Sequence, residues 1–184
     1  MKRFAGLAVF ALVLVAVPAW ASTFIALSRT ELAAQSNAVV EGEVLKINSF
    51  WSRSGRLVVT EAMIQVTDKI AGEAPGVVVV RTFGGRVGGY NVEAHGFPKF
   101  AVGDRLVLFL QGNVDTVAEV TGYRLGQYRV VREAGIEMAV PTLEKGVTLV
   151  HADGRPAARA KAMPLSDLKA SVRADFERAP RMAN

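Results

Sequence analysis

Two histidines, His95 and His151, and three glutamates, Glu41, Glu43 and Glu61, are the side chains whose types and spacing could move protons. A Ser/His/Asp relay needs a base and an orienting acid within reach of a nucleophile. No G-x-S-x-G elbow accompanies these histidines. A zinc site takes three or four ligands, often at tight spacing, and lone histidines in a loop and a late turn read as surface residues. Glycoside hydrolysis needs two carboxyls facing one cleft. Glu41 and Glu43 lie two apart on one strand face, with Glu61 expected beside them. Alternation puts that face in solvent, so the sequence predicts a solvated acidic cluster. The chain has no cysteine, which excludes thiol proteases, thiol oxidoreductases and thiolate metal sites.

Gly84-Gly85-Arg86-Val87-Gly88-Gly89 has the look of a phosphate loop but lacks the Gly-Lys-Ser/Thr that opens a helix. Its glycines read better as tight-turn residues that take positive φ. Around it stand the aromatics Phe50, Trp51, Tyr90, Phe97 and Phe100. Phe97 and Phe100 are expected to pin the long connection Gly84 to Lys99 to the body of the protein. Unstructured connections beyond about 12–15 residues tend to be functional or disordered. This stretch is at that limit. Trp51, Arg86, Tyr90, Asn91 and His95 therefore form the candidate ligand-binding set, with no catalytic residue, no metal ligand and no cofactor assigned.

The elements that must position them are mostly strands. Residues Ala38 to Ile47 alternate, with Gly42 as an expected bulge. Ser49 to Gly55 reads as a polar connection. Leu57 to Val66 pairs back as a hairpin, and Ala71 to Gly76 is a turn by composition. Val77 to Phe83 and Arg105 to Leu110 are apolar on both faces, as doubly covered strands are. Tyr123 to Arg132, Ile136 to Val140 and Val147 to Val150 are weaker strand segments. A helix starts at Ser28, where Ser28 and Glu31 form a capping box and Leu27 and Leu32 a staple. A final helix, capped by Ser166, carries the stripe Leu168, Val172, Phe176. The fold class expected is mainly β: a small OB-like barrel with a short N-terminal helix and a C-terminal helix. A β-sandwich is the alternative.

Residues 1–21 read as a secretory signal: Met1-Lys2-Arg3, an uncharged apolar run from Phe4 to Val17, Pro18, then Ala19-Trp20-Ala21. The run is short for a bilayer core, which takes about 20 residues. The domains expected are the signal at 1–21, a barrel at 22–150, and a linker with the C-terminal helix at 151–184. Of 22 basic side chains, Lys2 and Arg3 leave with the signal, and 17 acidic ones remain, a net charge near +3. The basic residues are scattered, so no phosphate-binding stripe for nucleic acid is read.

Phe97-Pro98-Lys99-Phe100 followed by Val102-Gly103-Asp104-Arg105-Leu106-Val107-Leu108-Phe109-Leu110 resembles a pattern in small exported bacterial β-proteins of unassigned activity, F-x-x-G-[DE]-R-x-L-x-F-L after a glycine-rich segment. The resemblance spans the Ser28 helix to about Arg132. It implies a turn feeding a buried strand and brings no catalytic residue. At the level of fold the chain is also similar to netrin-like and metalloproteinase-inhibitor OB domains, which rely on cysteines. The function expected is that of an exported, non-enzymatic binding or interaction module, periplasmic or extracellular. Its partner would be a protein or glycan of the envelope or outside the cell, with no membrane anchor after cleavage. The alternatives are an inhibitor or partner of an extracytoplasmic protease, acting through a free Ser22 amine, and a carboxylate hydrolase.

Overall fold

The structure, a computed structural model, describes residues 23–179. The expected signal at 1–21, the new terminus Ser22 and the tail at 180–184 lie outside the described residues. In chain order the elements are β1 (Thr23–Ile25), α1 (Arg29–Ala34), β2 (Ala38–Trp51), β3 (Val58–Gly72), β4 (Val77–Phe83), β5 (Gly85–Val87), β6 (Tyr90–Val92), β7 (Arg105–Asn113), β8 (Val117–Val120), β9 (Gln127–Glu133), β10 (Ile136–Pro141), β11 (Thr148–Val150), β12 (Met163–Pro164) and α2 (Leu165–Arg178).

Five strands close into a barrel in the order β2-β3-β4-β8-β7 and back to β2. Only the β4–β8 contact among them is parallel, Val80 against Ala118 and Arg81 against Glu119. Numbered along the chain, the barrel strands run 1-2-3-5-4, the Greek-key order of an OB-like barrel, and the sandwich alternative falls. The interior is filled by the inward rows of these strands, among them Val40, Val44, Ile64, Val80, Leu106, Leu108 and Leu110. β2 is bent enough to serve both sides of the barrel by shifts of register, one of them between Glu41 and Gly42. A side chain at Gly42 would sit 2.5 Å from the Gln65 carbonyl oxygen, so the bulge needs glycine.

A second apolar cluster lies outside the barrel. Val39, Val107 and Phe109 face away from the interior and are covered by Leu32, Tyr128, Val130, Leu165, Leu168 and Val172. The expected stripe of the last helix is thus the lid of this outer core. Residues 151–179 are bound to the barrel through it, although residues 155–162 run as coil apart from one bridge at Pro156.

Several expectations change. β2 runs on to Trp51, so Phe50 and Trp51 belong to a strand and not to a connection. β3 reaches Gly72, which shortens the expected turn. β8, only four residues long and not read from the sequence, is the strand that closes the barrel. The expected strand at Tyr123 begins instead as a 3-10 turn, Tyr123–Gly126, and turns into β9 at Gln127. Ser166 does not cap α2: Pro164 holds the cap position, and the Ser166 hydroxyl meets Asp167. Proline suits a helix start because its missing N–H would be unsatisfied there anyway. At α1 the Ser28–Glu31 box forms in both directions, at 3.2 and 2.7 Å.

Candidate functional site

Three barrel strands bring hydroxyls side by side near one end, in register across the strands: Ser49 after Ile47 on β2, Thr60 next to Ala62 on β3, Thr82 after Val80 on β4. They mark a mouth. The Gly84–Lys99 stretch crosses it as a small hairpin, β5 against β6, turned at Gly88-Gly89, with Gly88 at φ +56°. The glycines are used for backbone geometry, as expected. Gly85, at φ +130°, rests so closely on the mouth that a Cβ there would lie 2.2 Å from Thr60 Oγ1.

Thr60 donates its hydroxyl to the Gly84 carbonyl at 2.6 Å, and Ser49 Oγ lies 2.8 Å from Thr60 Oγ1. Thr60 has one proton and spends it on Gly84, so Ser49 is the donor to Thr60 and keeps its own lone pairs open. Thr82 donates to the Pro98 carbonyl at 3.0 Å. Between hairpin and strands lies a cavity of about 310 Å³, floored by Ile47, Phe83 and Phe100 and edged by Arg86 and Asn91. That is at the small end of ligand pockets. Arg86 and Asn91 are cross-strand neighbours. Neither side chain has a hydrogen-bond or ion-pair partner among the described residues.

Trp51, at the end of β2, meets Tyr90, at the start of β6, edge to face with ring centres 5.8 Å apart. Both are exposed, Tyr90 by 67%. Four of the five expected residues, Trp51, Arg86, Tyr90 and Asn91, are therefore gathered on the hairpin and the strand end beside it. His95 is not. Its Nδ1 faces Glu144 Oε2 at 3.5 Å, in a cluster where Lys99 and Arg124 each approach Glu144 Oε1 to 2.8 Å. The hydrogen bond from Lys99 holds the Glu144 carboxyl below its ordinary pKa, and the same bond raises that of Lys99. Burial lowers Arg124, whose Nε is enclosed without a partner among the described residues. His151 sits at a separate turn, its backbone N–H donating to the Arg155 carbonyl.

The sequence reading missed Ser49, Thr60, Thr82 and Lys99. A signal was present: three apolar alternations each carry one Ser or Thr, at Ser49, Thr60 and Thr82.

The acidic cluster is a correction. Glu41 is not on a solvent face but 4% exposed, because α2 and the β9–β10 arm cover that side of β2. Its Oε1 meets Arg105 at 2.6 Å and its Oε2 meets Lys169 at 2.6 Å. Lys169 also reaches Asp68 at 2.9 Å, and Arg105 reaches Glu137 at 2.7 Å. Glu61 is not beside them. It pairs in register with Asn48 while Glu41 pairs with Asp68, seven positions along β2, roughly 20 Å at the rise of a strand. Glu61 is held by Arg81 at 2.6 Å. Glu43 is exposed. The three glutamates do not share a cleft.

Phe97 does pin the long segment, its ring 5.2 Å from Phe83 and 4.9 Å from Tyr123, and Phe100 packs against the interior cluster. No helix among the described residues is long and apolar enough to cross a membrane. No family model, curated protein or solved structure compared with this chain matches it.

Proposed function

We propose that this chain is an exported, non-enzymatic binding module that takes its ligand at the hairpin-covered mouth of the barrel. The partner is a glycan or protein of the cell envelope or outside the cell. The observation that carries the reading is the pair of polar side chains, Arg86 and Asn91, without partners among the described residues and held over an apolar-floored cavity beside the exposed Trp51–Tyr90 rings. Arg supplies a planar fork for acidic groups. The aromatics supply faces for stacking, at small entropic cost because each ring has two rotatable bonds.

Trp51 is the one tryptophan of residues 22–184, so its fluorescence reports on this site. The exported chain, with Arg86→Ala and Tyr90→Ala variants, is screened on an array of envelope glycan fragments and in a pull-down from the extracytoplasmic fraction. The expected result is retention of a glycan or protein that shifts Trp51 emission and is weakened about tenfold or more by either variant, the loss typical of one anchor contact. Identical retention by all three proteins would refute the reading.

One observation favours the protease-partner reading as a second choice. β1 is tied in parallel to β11, Thr23 opposite Thr148, so a terminus generated at Ser22 would directly precede a held strand even without disulfides. One extra residue before Ser22 should abolish inhibition of a zinc protease. Inhibition that survives the extension removes this choice.

A further inference from the structure

On the other side of Phe83 from the mouth lies a larger groove, about 560 Å³, lined by Phe24, Phe83, Phe97, Tyr123 and Glu119 among others. Four rings follow one another along it. Phe83 and Phe97 are turned 86° from each other, Phe97 and Tyr123 71°, and Tyr123 and Phe24 66°, with centres 4.9–6.2 Å apart. Successive rings touch edge to face, so they present walls of different orientation to whatever lies in the groove. The backbone is adapted to this arrangement. Tyr123 is held at φ +57°, a conformation that costs a bulky residue energy and that recurs at ligand clamps. Gly96 leaves room for the Phe24 ring: a Cβ there would lie 2.0 Å from Phe24 Cζ.

The charge at the groove is selective. Ring faces carry negative potential and attract cations. Glu119 has no ion-pair or hydrogen-bond partner for its carboxylate among the described residues. Arg81 also lines the groove, but its guanidinium is committed to Glu61 at 2.6 and 3.1 Å. A primary ammonium has three N–H donors, of which the Glu119 carboxylate could take one or two and the ring faces none in full, whereas a quaternary one has no donor to satisfy. We infer that this aromatic groove binds an organic cation of the quaternary-ammonium class, with the rings as walls and Glu119 as counter-charge. The inference does not depend on the mouth as a site.

The test uses choline and its neutral carbon isostere, 3,3-dimethylbutan-1-ol, titrated into the 15N-labelled chain by NMR, with Glu119→Gln and Tyr123→Leu variants. Choline should give saturable shifts centred on Gly96, Phe97 and Tyr123. The neutral isostere should bind about tenfold more weakly, and each variant should weaken choline by about three- to tenfold. Glu119 is exposed, so its variant decides the matter even where Tyr123→Leu fails to fold. Equal binding of the isostere, choline affinity unchanged in Glu119→Gln, or no saturable shift with choline would overturn the inference.

Discussion

Replacing Glu41 by Gln separates a structural carboxylate from a chemical one. The change keeps the side-chain volume but removes the charge shared by Lys169 and Arg105. Breaking a fully buried ion pair costs about 3–5 kcal/mol. Each cation here keeps a second acid: Lys169 keeps Asp68 at 2.9 Å and Arg105 keeps Glu137 at 2.7 Å. Arg105 is also 44% exposed, so water screens its part, while Lys169 is 19% exposed and carries most of the loss. A hydrogen bond to a charged group contributes about 1.5–3 kcal/mol, and the amide oxygen recovers a fraction of it. The net expectation is a destabilisation of about 2 kcal/mol, a fall of about 1 M in the urea midpoint for an m-value near 2 kcal/mol/M. The loss should couple to α2. Lys169→Met and the double variant complete a cycle whose interaction energy should be about 1–2 kcal/mol, and amide exchange in α2 should accelerate. A midpoint unchanged by Glu41→Gln, or a strictly additive cycle, would refute the view that Glu41 fastens the last helix to the barrel. A variant that kept its stability but lost a hydrolytic activity would restore the hydrolase reading.

Two further outcomes follow from the backbone and from the titrating groups. Ala134 and Gly135, at φ +48° and +84°, form the two-residue turn between β9 and β10, a geometry for which Asn-Gly is suited. Ala134→Asn should raise stability by about 0.5–1 kcal/mol and Tm by about 1–4 °C in calorimetry, and a lower Tm would contradict this. Glu31 is held below its ordinary pKa of 4.5 by its hydrogen bonds with Ser28, and Glu144 by its hydrogen bond with Lys99. A depressed carboxyl pKa contributes stability above the unfolded value and loses it as pH falls through the folded one. Urea midpoints should therefore hold level from about pH 7 to 5 and decline below about 4.5, less steeply in Glu144→Gln; a rise on acidification would reverse the sign of the argument.

Much of the barrel was legible because its causes are local. Alternation marked β2 and β3, and a β-branched run bounded by a glycine on each side marked β4 to the residue, Val77 to Phe83, although only one of its two apolar faces is covered. Gly42 announced the bulge, and Ser28 with Glu31 announced α1. The hairpin residues Arg86, Tyr90 and Asn91 could be singled out because aromatic and polar side chains in a glycine-rich stretch have no periodic reason to be there. What alternation determines is that a strand has two faces. It does not say what lies on each. Glu41 reads as solvated until α2, more than a hundred residues later, covers it, and β8 is too short to signal itself before β4 and β7 close on either side of it. Phe24, Phe83, Phe97 and Tyr123 share no sequence spacing at all. Only the closing of the barrel, which brings β1 and the Tyr123 turn against the end of β4, makes them one groove, because contacts between distant segments are set by which apolar surfaces cover each other and not by any local pattern.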